Sequence, residues 1–148
     1  VYELEAQILA QGVNLKKGVK NLLTYLQREG IPIALATSSV ESRARMILDS
    51  NGILSLFDHL VFAKDVKRSK PYPDIFLKAC SDLNVLPENC LVLEDSEAGI
   101  EAASRAGIPV ICIPDLKIPA QSFLNKTEQV FQDLDAVRDY LESKKEVF

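Results

Sequence analysis

The chain has 148 residues, which is enough for one compact domain with a core and too few for two ordinary ones. Hydrophobic residues make up 47% and charged residues 26%, a balance typical of globular proteins that excludes a disordered chain. The formal charge of −4 argues against nucleic acid as a partner, and no apolar run approaches the roughly 20 residues that a membrane span requires. Three cysteines without metal-ligand spacing, and no signal-peptide pattern at Val1, predict a cytoplasmic protein with reduced thiols.

The first part of the chain shows two helical patterns. Residues 1–11 place apolar side chains at helical spacing, with Gly12 behind them, and we predict a helix there. A second helix is predicted over about 16–29, with Gly30 just after its end.

Four short apolar runs then alternate with amphipathic helices. The predicted strands cover residues 33–36, 60–63, 91–93 and 110–113. The helix after the first of them is predicted to begin at Ser38, because Glu41 three residues later completes the form of a capping box. Such alternation is typical of βαβ units, so the sequence predicts an α/β fold with a parallel sheet.

Polar residues follow three of these strands. Thr37 and Ser38 follow the first, a basic loop that ends at Lys70 follows the second, and Glu94 and Asp95 follow the third. Each feature alone is also explained by a helix cap or a solvated loop. However, parallel strands bring their carboxyl ends to one edge, where open α/β sheets hold their ligands. Hydroxyls, an ammonium and paired carboxylates at one edge suit a phosphate with a bound Mg²⁺.

The chain resembles the haloacid dehalogenase-like hydrolases, in the branch that contains β-phosphoglucomutase and small sugar-phosphate phosphatases. Three motifs in the family's order carry the resemblance: ATSS at 36–39, DVKRSKPYPDIF at 65–76 and LEDSEAGI at 93–100. The resemblance covers about residues 16–114. It implies a three-layer, Rossmann-like core with a parallel sheet, and a small phosphorylated metabolite as the substrate.

The resemblance also implies a role for each matching residue. Thr37 corresponds to the hydroxyl that binds the transferring phosphoryl group, assisted by the backbone N–H of Ser38. Lys70 corresponds to the lysine that neutralises the phosphoryl oxygens and the attacked carboxylate. Glu94 and Asp95 correspond to the ligands of Mg²⁺. The family's reaction is attack by an aspartate carboxylate on phosphorus, followed by hydrolysis of the aspartyl-phosphate.

Ser96 corresponds to a residue that supports the metal ligands.

The family's first motif has no counterpart in this chain. That motif, Asp-x-Asp after an apolar strand, supplies the nucleophile and the general acid/base. Only residues 133–135 have these letters, and they open the last predicted helix. The chain begins where the family's helical cap would end. We therefore expect residues 1–14 to be a cap remnant and 15–148 the C-terminal part of the core, without its first, central strand.

A missing central strand would leave a gap between the strands that end at Thr37 and Glu94. Two such uncovered edges promote aggregation unless something pairs with them. Our hypothesis is that the chain is part of a larger enzyme, and that its stability needs the missing segment, direct closure of the gap, or self-association. A continuous sheet without a gap would contradict this hypothesis.

Three functions follow from the sequence. The first is an Mg²⁺-dependent phosphatase of a small phosphate monoester, active only when the nucleophile strand is present. The second is a phosphomutase like β-phosphoglucomutase, which is less favoured because Val40 and Glu41 stand where a second phosphate needs basic or amide groups. The third is a non-catalytic fragment or pseudoenzyme, which the absent Asp-x-Asp supports.

Overall fold

The structure, a computed structural model, describes residues 6–9 and 16–145. Its strands and α-helices alternate along the chain, as the apolar periodicity predicts. In chain order they are β1 (Ala6–Leu9), α1 (Val19–Arg28), β2 (Ile33–Thr37), α2 (Glu41–Ser50), β3 (His59–Phe62), α3 (Asp74–Leu83), β4 (Cys90–Glu94), α4 (Glu97–Ala106), β5 (Val110–Cys112), α5 (Gln121–Leu124), β6 (Gln129–Val130) and α6 (Leu134–Lys145).

The described strands form one parallel sheet in the order β3-β2-β1-β4-β5-β6. Successive side chains of β2 enter different cores, because side chains alternate across a strand. Ile33 and Leu35 belong to a core with α1 and α6, whereas Ala34 and Ala36 belong to a core with α3 and α4. Helices therefore cover both faces, and the predicted three-layer α/β architecture is confirmed.

The central strand of the sheet is formed by residues that were predicted to be helical. Ala6–Leu9 form a strand that pairs with β2 on one side and β4 on the other, so the predicted helix over 1–11 is wrong at these positions. The remaining residues of that predicted helix lie outside the described ones. Backbone groups on two facing strand edges need partners, and this requirement outweighs helical spacing in so short a segment.

The sheet is therefore continuous where a gap was expected. Ile8 lies opposite Ala34 of β2 and opposite Val92 of β4, so β1 occupies the place of the missing central strand. The structural part of the hypothesis required a further segment, direct closure of the gap or a second copy; β1 fills the gap instead, so this part is wrong. Strand pairing says nothing about the source of the aspartate nucleophile, which stays a prediction.

Two local predictions concern helix starts. The capping box at Ser38 is wrong: α2 begins at Glu41, and its N-cap residue Val40 has no capping side chain. By contrast, Asp133 Oδ1 accepts a hydrogen bond from Ala136 N, so Asp133 opens the last helix as expected.

Burial agrees with the predicted reduced cysteines. Cys80, Cys90 and Cys112 are buried in the core, and none of the three forms a disulfide. Among the helices of the described ranges, none combines the length and apolar character needed to cross a membrane.

Candidate active site

The predicted site residues meet in one cavity of about 540 Å³ at the carboxyl ends of β2 and β4. These strands lie on either side of β1. The chain adds β2 and β3 on one side of β1 and the later strands on the other, and open α/β sheets usually bind ligands at such a switch point. The cavity is lined by Thr37, Ser38, Ser39, Ala63, Ser69, Lys70, Glu94, Asp95, Ser96 and Ala98. All six residues singled out in the sequence are among them.

Glu94 is the buried centre of this site. Its side chain is 1% exposed, and its Oε2 lies 3.2 Å from Lys70 Nζ. Its Oε1 accepts hydrogen bonds from Asp95 N at 3.0 Å, and from Ser96 N and Ser96 Oγ at 3.1 Å each. Burial raises the pKa of the Glu94 carboxyl to about 7, although the Lys70 ammonium favours its charged form. Glu94 therefore fixes Lys70 at the cavity wall.

Gly99 makes the close approach of α4 to Glu94 possible. A Cβ atom at position 99 would lie 1.9 Å from Cδ and Oε2 of Glu94, a distance that no side chain tolerates. The Ser96 hydroxyl caps α4 by accepting a hydrogen bond from Gly99 N at 3.1 Å. Gly99 had no predicted role, although a glycine inside a helical pattern indicates close packing.

Thr37 ends β2 and is buried at the cavity floor. Its Oγ1 accepts a hydrogen bond from Ser39 N at 3.1 Å, which orients the hydroxyl and leaves its proton for another acceptor. Ser38 also lines the cavity, where its side chain is exposed.

The basic loop after β3 divides into paired surface charges and one residue of the site. Lys64 Nζ lies 2.5 Å from Glu41 Oε1, and Arg68 contacts Asp74 at 3.0 Å, both at the surface. Lys70, which precedes a cis peptide bond to Pro71, lines the cavity instead. The structure thus separates Lys70 from the solvated charges of the same loop.

Asp95 lies near Lys16, a cation that was not predicted for this site. Lys16 Nζ lies 4.0 Å from Asp95 Oδ2 and 3.6 Å from Asp115 Oδ1. Asp115 received no role from the sequence. Nothing in the local pattern of two lysines before Gly18 indicates this contact, since it depends on strands far away in the chain.

The donor set suits Mg²⁺ in part. Mg²⁺ usually takes one or two carboxylates and completes its shell with waters and substrate phosphate. Asp95 fits this role, because its carboxylate lines the cavity and already lies near a positive charge, the Lys16 ammonium. Glu94 already engages both oxygens with protein donors. Within residues 6–9 and 16–145, no group of three or more His, Cys, Asp or Glu side chains is placed to hold a metal ion.

Comparisons with known proteins agree with this geometry. The chain is 39% identical over 121 residues to validoxylamine A 7'-phosphate phosphatase of Streptomyces hygroscopicus subsp. limoneus, covering 82% of this chain and 56% of the relative. It is 37% identical over 108 residues to a phosphorylated carbohydrates phosphatase of Thermotoga maritima, covering 73% of this chain and 50% of the relative. The chain thus spans about half the length of these curated relatives.

A solved structure shows the same fold. The crystal structure of a putative β-phosphoglucomutase from Thermotoga maritima superposes with a TM-score of 0.76 at 32% identity, over 89% of this chain and 60% of that one. A profile of the haloacid dehalogenase-like hydrolases matches residues 1–113, which is more than half of the chain. The chain therefore belongs to the haloacid dehalogenase-like hydrolase family.

Proposed function

We propose that this chain carries the phosphate- and metal-binding part of a phosphatase that hydrolyses a small phosphate monoester, such as a sugar phosphate. One observation carries the proposal: a single cavity holds the Thr37 hydroxyl, the Lys70 ammonium and the Asp95 carboxylate at the carboxyl edge of the sheet. The relatives named as phosphatases of phosphorylated carbohydrates and of validoxylamine A 7'-phosphate support this substrate class.

Each side chain has a distinct task in the proposed reaction. The Lys70 ammonium neutralises charge on the phosphoryl oxygens, and Glu94 holds Lys70 in position through their 3.2 Å contact. The Thr37 hydroxyl and the N–H of Ser38 donate hydrogen bonds to the phosphoryl group. Asp95 would hold Mg²⁺, whereas Glu94, the second ligand predicted from the sequence, meets protein donors with both of its oxygens, among them Lys70 and Ser96. A bound Mg²⁺ would offset the charge on the phosphate as it is attacked.

This chain has no aspartate at the position where the family has its nucleophile. In the family an aspartate after the central strand attacks phosphorus, the substrate alcohol leaves with a proton from the general acid, and water then hydrolyses the aspartyl-phosphate. Here β1 is followed in the sequence by Ala10, Gln11 and Gly12, which have no carboxylate. We therefore propose that the nucleophile comes from a segment outside this sequence, and that this chain alone is catalytically incomplete. The division into a cap remnant at 1–14 and a core at 15–148 also stays a prediction.

A hydrolysis assay tests this proposal. The chain is incubated with p-nitrophenyl phosphate and Mg²⁺, after denaturing mass spectrometry has verified its composition. We expect no turnover by the unmodified chain, and Mg²⁺-dependent turnover by an Ala10→Asp/Gly12→Asp variant, which places Asp-x-Asp directly after β1. Adding Lys70→Met to that variant should abolish the gain. Turnover by the unmodified chain alone, or a gain that survives Lys70→Met, would contradict the proposed mechanism.

A phosphomutase is the second candidate, since the solved structure of the putative β-phosphoglucomutase is similar. A second cavity of about 640 Å³ adjoins Ser38 and contains Arg45 and Lys64, which could attract a second phosphate. Both of these cations are paired with Glu41, however, so a phosphate there would meet a carboxylate. This pairing favours the phosphatase. Exchange of phosphate between positions of a hexose phosphate by the Asp-x-Asp variant would favour the mutase instead.

The third candidate is a protein that binds phosphate or metal without catalysis. The absence of an aspartate after β1 supports it. Phosphate binding by the unmodified chain, combined with no turnover in the Asp-x-Asp variant, would favour this candidate over the phosphatase.

A further inference from the structure

Lys16 is a mostly buried lysine beside the carboxylates of Asp95 and Asp115. Its side chain is 12% exposed, whereas that of the adjacent Lys17 is 78% exposed. Lysine normally keeps its ammonium in water, so burial of this kind needs nearby anions. Lys16 has two of them, Asp95 at 4.0 Å and Asp115 at 3.6 Å.

The two carboxylates lie at the carboxyl ends of neighbouring strands. Asp95 follows β4 and Asp115 follows β5, and the register places Glu94 opposite Cys112. Lys70, which lines the cavity, contacts Glu94, whereas the lysine near Asp95 is Lys16. The ammonium of Lys16 thus supplies the positive charge beside the carboxylate that the proposed function assigns to Mg²⁺.

We propose that Lys16 is a built-in competitor of the divalent cation at Asp95. The Lys16 ammonium repels a second cation that approaches Asp95, so a metal ion binds there more easily once the ammonium has moved away. The Lys16 side chain has an alternative partner, because its ammonium already lies closer to Asp115, at 3.6 Å, than to Asp95, at 4.0 Å. Lys16 therefore lowers the affinity of Asp95 for metal, and withdraws toward Asp115 when metal binds. This inference rests on the proposed function only for the choice of Asp95 as metal ligand.

Metal binding by matched variants tests the competition directly. Mn²⁺ is titrated into the unmodified chain, Lys16→Met and Lys17→Met, and free Mn²⁺ is measured by electron paramagnetic resonance. Methionine keeps a similar apolar stem and removes the charge. We expect Lys16→Met to bind Mn²⁺ roughly tenfold more tightly, equivalent to about 1.4 kcal/mol. Lys17→Met should bind Mn²⁺ like the unmodified chain, because Lys17 forms its ion pair with Asp133 and not with Asp95.

The position of the bound ion is tested in the same assay. Asp95→Asn, introduced into Lys16→Met, should reverse the gain in Mn²⁺ affinity. Equal Mn²⁺ affinity in the unmodified chain and Lys16→Met, an equal gain in Lys17→Met, or a gain that survives Asp95→Asn would each overturn the inference.

A second measurement uses the unmodified chain, in case Lys16→Met does not fold. The lysines are labelled with an acylating reagent at increasing Mg²⁺, and each site is quantified by mass spectrometry. We expect labelling of Lys16 to rise several-fold as Mg²⁺ displaces it, while labelling of Lys17 stays constant. Labelling of Lys16 that does not change up to millimolar Mg²⁺ would overturn the inference. Neither readout involves hydrolysis, so failure of the phosphatase proposal in its own assay is distinguishable from failure of this one.

Discussion

Two lysine–glutamate pairs at opposite ends of one loop show how burial changes the meaning of a charge. Lys64 and Glu41 are 2.5 Å apart at the surface, with Lys64 67% exposed. Lys70 and Glu94 are 3.2 Å apart at the cavity wall, with Glu94 1% exposed. Water and salt screen the first pair, whereas the second lies where charges interact strongly. The shorter contact is therefore the less consequential one, and the buried pair defines the site.

The largest effect is expected from breaking the buried pair. Glu94→Ala leaves the Lys70 ammonium inside the site without its carboxylate, and also removes the acceptor of three hydrogen bonds from Asp95 and Ser96. Removing one partner of a buried ion pair costs about 3 kcal/mol or more of unfolding free energy. Urea unfolding measures this loss. Glu41→Ala is the matched control and should leave the urea midpoint unchanged; equal losses in both variants would contradict the contrast between the pairs.

A smaller loss is expected from Gly99→Ala. Alanine normally stabilises a helix interior relative to glycine by roughly 0.5–1 kcal/mol. Here its Cβ would lie 1.9 Å from the Glu94 carboxyl, so Glu94 must move away from Lys70 or α4 must shift. We expect a destabilisation of about 2 kcal/mol, the cost of overpacking, in place of the usual gain.

Chemical unfolding also measures the Gly99→Ala effect. Ser104→Ala, on the exposed face of the same helix, serves as the control for helix propensity. A stabilised Gly99→Ala protein would show that Glu94 is not held against α4.

The pH dependence of stability follows from the same carboxyl. Because burial raises the pKa of Glu94 to about 7 in the folded state, above its ordinary value of 4.5, the folded chain binds more protons than the unfolded chain between these values. The stabilising contribution is full below pH 4.5 and is lost as the pH rises toward 7. The slope from this one group reaches at most about 1.4 kcal/mol per pH unit.

Urea titrations of the metal-free chain between pH 4.5 and 7.5 measure this slope. Glu94→Gln keeps the shape of the side chain and should remove the contribution of this group. An identical pH dependence in Glu94→Gln and the unmodified chain would mean that Glu94 titrates at its ordinary value.

The smallest effect is expected from Lys64→Met. Hydrogen bonds from Lys64 and Arg45 lower the pKa of Glu41. Both side chains of the Lys64–Glu41 pair nevertheless contact solvent. Exposed ion pairs contribute little to stability because solvent screens them. Thermal melting of Lys64→Met at low and at physiological salt should match that of the unmodified chain. A clear loss at both salt concentrations would show that the exposed pair is structural.

Local patterns were sufficient to predict β2, β4 and the residues that follow them. Continuous apolar runs mark buried parallel strands, and the rule that their carboxyl ends share an edge brings Thr37 and Glu94 into one cavity. The same rule brings Lys70, at the end of the loop that follows β3, to this edge of the sheet.

Features that depend on distant partners were not predictable from the sequence. Ala6–Leu9 have too few residues to distinguish helical from strand spacing, and the unpaired edges of β2 and β4 decide their conformation. The contact of Lys16 with Asp95 joins the start of the core to a strand far along the chain. The role of Gly99 depends on the position of the Glu94 carboxyl, which packs against it and which the sequence does not reveal.

Binding of inorganic phosphate tests most directly the central claim that the buried pair belongs to a phosphate site. Isothermal titration calorimetry with saturating Mg²⁺ compares the unmodified chain with Lys70→Met and Lys64→Met, which remove one lysine from the same loop. We expect binding by the unmodified chain and by Lys64→Met, and loss of binding in a folded Lys70→Met. Equal phosphate affinity in Lys70→Met and the unmodified chain, or binding lost only in Lys64→Met, would contradict the assignment of this cavity.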